Sequence, residues 1–159
     1  MEHIKQNDSG LYIPIQKIGC FYRSCALIAE YKTRKQLTVE QLNNGWDDCK
    51  KMGYVNKEDD VVDSANIISY FLHRLGDSGE YIEIGTIKNG LPGYYGWVTA
   101  DMKNNHERFF IQKIRQNGPS IYHFRVVDED GYLIEDPHRP DINVVSVVHS
   151  IIYYYREAK

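Results

Sequence analysis

The chain has 159 residues, of which 42% are hydrophobic and 26% charged, the size and balance of one domain with a real core and too little for two comfortable ones. A formal net charge of -3 and scattered basic residues give no general attraction to nucleic acid or anionic lipid. No apolar run approaches the roughly 18 residues of a membrane span, and Met1 to Gln6 lack the apolar core of a signal peptide, so the expectation is a single cytoplasmic domain over 1–159 with no membrane partner.

Residues 1 to 10 are polar and close on Asn7-Asp8-Ser9-Gly10, an arm and a turn before the short apolar segment Leu11 to Ile15. Pro14 argues against helix through Ile13, and a short loop is expected to lead to Gly19, which permits a tight approach that a side chain would block. A helix then starts near Phe21, with Cys25, Ile28 and Ala29 as one apolar stripe. This spacing leaves Cys20 at the helix N-terminus. Unpaired backbone N–H groups and the positive end of the macrodipole favour the nucleophilic thiolate at such a position, and the same amides can stabilise an oxyanion. The three cysteines are odd in number and contain no C-x-x-C pair, which fits reduced thiols better than a disulfide framework or a zinc site. No metal or organic cofactor is expected.

Thr33 to Gln36 make a basic loop, and Thr38-Val39-Glu40-Gln41 is a capping-box pattern that opens a second helix. Its stripe is Val39, Leu42, Trp46 and Cys49, so Cys49 reads as core, and Gly53 stops the helix. The run Lys57-Glu58-Asp59-Asp60 reads as a solvated loop. A third helix is capped by Asp63 or Ser64, runs through Ile67, Ile68, Phe71, Leu72 and Leu75, and ends at Gly76.

The second half changes character. Segments 81–87, 95–101, 108–114, 120–127, 132–135 and 144–155 are rich in β-branched and aromatic residues, with turn signals such as Asn89-Gly90, Asn104-Asn105, Asn117-Gly118-Pro119 and Asp130-Gly131 between them. A helical half followed by strands joined through short turns predicts an α+β domain, with N-terminal helices packed on a C-terminal antiparallel sheet. Tyr153-Tyr154-Tyr155 reads as sheet packing rather than a base-stacking platform.

The stretch Gly19-Cys20, with Ser24 four places after the cysteine and an apolar helix ending in Tyr31, resembles the start of a papain-like thiol peptidase, in particular the branch that includes bacteriocin-leader peptidases. The chain also resembles an uncharacterised family carried on phages and plasmids, a resemblance that implies no established activity. The peptidase resemblance implies a papain-like fold in which a glutamine shortly before the cysteine donates to the oxyanion and a His and an Asp follow on two later strands. Gln16, Cys20, His123 and Asp136 fall in that order.

Hairpin counting supports the last two. If 128–131 form a four-residue loop, His123 lies opposite Asp136; if Asp130-Gly131 is a two-residue loop, Asp136 faces Arg125, on the same side of the sheet as His123. In the chemistry this implies, Cys20 attacks a carbonyl, His123 takes and returns the proton, Asp136 holds the imidazole tautomer, and Gln16 with the Cys20 amide binds the oxyanion. Cys25 is the rival nucleophile, and His73, His106, His138 and His149 are rival bases. The expected activity is hydrolysis of a peptide or amide bond in a peptide or protein substrate. Two alternatives stand beside it, a catalytically inert papain-like module that binds a partner protein and a phage-delivered peptidoglycan hydrolase. Phe21-Tyr22-Arg23 stand where that family commonly has small residues, so a narrowed cleft is expected, and either an open groove leads to Cys20 or Tyr22 and Arg23 seal it.

Overall fold

The computed structural model describes residues 3–88, 108–117, 122–127, 133–135 and 144–158, with backbone alone at 133–135, 144 and 145. Four helices come first: α1 (Ile13–Ile18), α2 (Cys20–Thr33), α3 (Val39–Lys51) and α4 (Ser64–Arg74). Five strands follow: β1 (Glu80–Lys88), β2 (Arg108–Gln116), β3 (Tyr122–Val127), β4 (Leu133–Glu135) and β5 (Val144–Arg156). The chain is thus α+β, with helices N-terminal and the sheet C-terminal. The segment 95–101, expected as a strand, lies outside the described residues.

The first helix is a departure from the sequence reading, which had a loop here. Pro14 falls in its first turn, where a missing N–H costs no intrahelical hydrogen bond and the fixed φ already suits a helix. Gly19 joins α1 to α2: its N–H donates to Ile15 O at 2.9 Å, and its own carbonyl accepts from Arg23 N at 2.7 Å. A Cβ at Gly19 would lie 2.5 Å from Ile15 O, so only glycine lets the two helices run on so closely.

Every residue of α2 from Tyr22 to Glu30 is buried. A helix buried all round is enclosed rather than laid on a surface, and α2 is accordingly the centre of the molecule. Around it, α3 carries the expected capping box, with Thr38 Oγ1 accepting from Gln41 N and Gln41 Oε1 from Thr38 N. Asp63 caps α4. A Cβ at Gly45 of α3 would lie 2.5 Å from the Phe71 ring and 2.8 Å from the Tyr22 hydroxyl, so this glycine sets how closely α3, α4 and α2 meet.

The described strands form one antiparallel sheet in the order β1-β5-β2-β3-β4. Its two faces are told apart by their packing. Ile111, Val126, Ile151, Tyr153 and Tyr155 join the helices in the main core, whereas Ile87, Phe110, Val127 and Ile152 form a separate cluster on the other face. Tyr153 and Tyr155 therefore do pack as sheet residues, and the Tyr153 hydroxyl lies 2.6 Å from Ser64 Oγ.

Two charges lie inside this core. Arg23 Nη1 and Glu30 Oε1 are 2.6 Å apart with both side chains fully buried. Glu30 Oε2 meets His3 Nδ1 at 2.7 Å, and Arg23 Nε donates to Ile4 O at 2.8 Å, so this pair fastens the N-terminal arm across α2. Among the described residues no helix is long and apolar enough to cross a membrane.

Candidate functional site

Cys20 is the first residue of α2, held there by the Gly19 junction, and it is partly exposed. The other two thiols are not available in the same way. Burial pushes the Cys25 pKa well above the ordinary thiol value, with Cys49 beside it adding to the effect, and burial lifts Cys49 to about 12. Both are core residues, as their helical spacing predicts.

The start of α2 is anchored to the sheet by Phe21, whose ring stacks on Phe124 of β3 at 4.3 Å between centroids. That contact fixes which way β3 turns its side chains. The β2–β3 ladder is regular from Phe110↔Val127 to Arg115↔Tyr122, so alternate residues of β3 face alternate sides of the sheet. Phe124 and Val126 face the helices; His123 shares the opposite face with Val127 and Phe110 and pairs with Ile114. His123 is buried there, at 4% exposure. Strand parity thus sends His123 and the start of α2 to different sides of the sheet.

The remaining members of the expected constellation are distributed as follows. Gln16 lies on α1, and its Nε2 donates to Leu11 O at 2.7 Å, so the amide is engaged within its own segment. Asp136 lies outside the described residues, as do the rival bases His106 and His138. The β3–β4 pairing begins Val126↔Glu135, the register of the two-residue-loop count, and shifts before Val127↔Leu133. Tyr22 and Arg23 are both fully buried. Both point into the core, where the Tyr22 hydroxyl donates to Leu42 O at 2.6 Å. Helical phase turns the Tyr22 ring toward Trp46 and Phe71, and Tyr22 with Trp46 lines the cavity beside the helix start.

What the fold does place beside the start of α2 is a cavity of about 540 Å³, within the range of ligand sites. Phe21, Trp46, Phe124 and Ile151 form apolar walls, and Ile18, 51% exposed, stands at the surface end. Ile18 and Phe21 flank Cys20 in sequence, but Cys20 itself is not a lining residue.

Further lining groups are polar, among them Lys113, His149, Asp59 and Asp60. Lys113 of β2 sits 4.6 Å over the Tyr122 ring and 5.8 Å from that of Phe124. His149 of β5 pairs with Lys113 across the strands and meets Phe124 edge-on at 6.5 Å. Burial, and then the Lys113 charge, hold His149 below the ordinary histidine value and so favour its neutral form. Asp60 is exposed and also lines the cavity, while its neighbour Asp59 is committed to Lys50.

Lys113 carried no role in the sequence reading, and His149 figured only as a rival base. Both lie on the helix-facing side because Lys113 stands opposite Phe124 on one neighbour and His149 on the other. The alternating pattern of each strand was visible, but the register that brings the three together was not. Among the described residues no group of three or more His, Cys, Asp or Glu side chains could hold a metal ion.

No family model matches the chain, and no curated protein or solved structure matches it either.

Proposed function

We propose that this chain is a papain-like α+β domain that works as a binding module for a protein partner, with Cys20 a residue of the helix start rather than the nucleophile of a Cys20–His123 dyad. The order of elements supports the papain-like part: a cysteine opens the central helix, and an antiparallel sheet follows. One observation carries the choice of binder over hydrolase. The strand that stacks Phe124 on Phe21 turns His123 to the other face of the sheet. An imidazole there cannot take a proton from a thiol at the start of α2 within the ~3 Å reach that such transfer requires.

The deciding measurement is the alkylation rate of Cys20 against pH in wild type and in His123→Ala. The same profile in both is expected. A rate that stays high at low pH in wild type and drops in the variant would restore the dyad and remove the binder reading.

A second reading draws on different observations. Cys20 is the one cysteine of the three with any exposure, and the neutral His149 lies on the helix-facing side of the sheet. In that reading the protein is a thiol hydrolase of peptide or amide bonds. Cys20 attacks the carbonyl carbon, His149 accepts the thiol proton and returns it to the leaving amine, and water then releases the acyl group. Alkylation in His149→Ala separates this reading from the first, because a binding module predicts no effect on the Cys20 profile.

A further inference from the structure

We infer that the cavity beside α2 is the docking site for the C-terminal end of a polypeptide, whose last side chain is apolar and whose free carboxylate meets Lys113. This rests on the binding-module reading and names its occupant.

The apolar part follows from the walls. Phe21, Trp46, Phe124 and Ile151 enclose a space large enough for an aromatic or branched aliphatic side chain, and burying such a group there removes it from water on most sides. The carboxylate follows from charge. Among the described residues no carboxylate lies at ion-pair distance from Lys113, whose ammonium rests against two aromatic rings instead. Asp59, which also lines the cavity, is taken by Lys50. A cation in a partly apolar recess is best satisfied by a compact anion that arrives attached to an apolar group, and a terminal residue supplies both on one atom. Neutral His149 beside Lys113 adds a hydrogen-bonding nitrogen at the same place.

The choice of a chain end over a small carboxylate follows from the mouth. Asp60 lines the same cavity but is exposed, and it does not pair with Lys113. The lining therefore carries both a half-buried cation and an exposed anion. A polypeptide entering by its C-terminus matches this polarity when a basic residue lies a few positions upstream. Exposed Ile18 borders the same mouth and offers apolar surface to the segment that leads in.

The test uses the full chain and a hexapeptide that ends in leucine-phenylalanine and carries one lysine upstream, prepared with a free C-terminal carboxylate and as the C-terminal amide. Binding is followed by NMR at the Trp46 indole and the His149 ring. The acid is expected to bind at least about 10-fold more tightly than the amide, as for a charge-assisted contact. Lys113→Gln should bring the acid down to the affinity of the amide. Lys113 is half-buried and outside the main core, and an unchanged urea midpoint shows that the variant folds.

Equal affinity of acid and amide, no binding of the acid, or an acid affinity unchanged by Lys113→Gln would each overturn the inference. Free phenylalanine binding as tightly as the hexapeptide would also do so, by making the occupant a small carboxylate. The two levels fail separately: if no peptide binds and Cys20 alkylation is indifferent to both His123→Ala and His149→Ala, the occupant is wrong and the binding-module reading stands. If alkylation depends on either histidine, that reading fails whatever the peptides do.

Discussion

Replacing Glu30 by leucine should destabilise the protein more than any exposed substitution, because it leaves the Arg23 guanidinium buried without its counter-charge. Both side chains are fully buried and face each other at 2.6 Å. Removing one partner of such a pair costs about 3–5 kcal/mol. Against a total stability of roughly 5–15 kcal/mol, that is about a fifth of the whole or more for a typical domain. For a chain of this length the melting temperature should fall by roughly 6–20 °C. Arg23→Met should cost less, since Glu30 keeps His3 at 2.7 Å.

The double variant Arg23→Met/Glu30→Leu is the informative one. Neither Arg23 Nη1 nor Glu30 Oε1 makes an aligned hydrogen bond among the described residues, so proximity of charge, rather than hydrogen-bond geometry, offsets their desolvation. Exchanging the pair for apolar groups should then be no worse than Glu30→Leu alone, with a coupling of at least about 2 kcal/mol between the two sites. Urea unfolding of the four proteins measures this directly. Single costs under about 1 kcal/mol, or costs that simply add in the double variant, would refute the buried-pair reasoning.

Three other outcomes follow from the site. Iodoacetamide at neutral pH should label Cys20 first, with Cys25 and Cys49 modified only after unfolding; peptide mapping that finds either of them labelled early would contradict their burial. Gln16→Ala should lower stability by about 1 kcal/mol through loss of its bond to Leu11 O, measurable by urea titration, and an unchanged midpoint would mean that the amide is not used there. His149 is neutral in the folded protein below the pH at which it protonates when unfolded, about 6.5, so its contribution to stability is complete above that pH and declines as pH falls through it. His149→Gln should therefore lose less stability than wild type between pH 7 and pH 5, and parallel curves would show that the group titrates alike in both states.

The local elements were legible because their signals are local. The capping box at Thr38, the cap at Asp63, the stripe that buries Cys25 and Cys49, and the change from helical to strand patterning after Gly76 all depend on residues within a turn or two of each other. α1 was missed for a related reason. Pro14 reads as a helix breaker unless its place in the first turn is known, and that place is set by the Gly19 junction and the packing of Ile15.

The sequence by itself determined an α+β chain, a cysteine at the start of its central helix, and a second half of antiparallel strands. It did not determine which side chains meet at that helix start. Period-2 alternation tells which residues of one strand share a face, but which face turns toward the helices is decided only when the strands take their register against one another. Here the stack of Phe124 on Phe21 settles it, giving His149 and Lys113 to the cavity that Phe21 lines and His123 to the far side of the sheet. The Arg23–Glu30 pair divides in the same way. Their seven-residue spacing sets both on one side of α2, two turns apart, but only the enclosure of that helix by the sheet, the other helices and the N-terminal arm makes the charges buried.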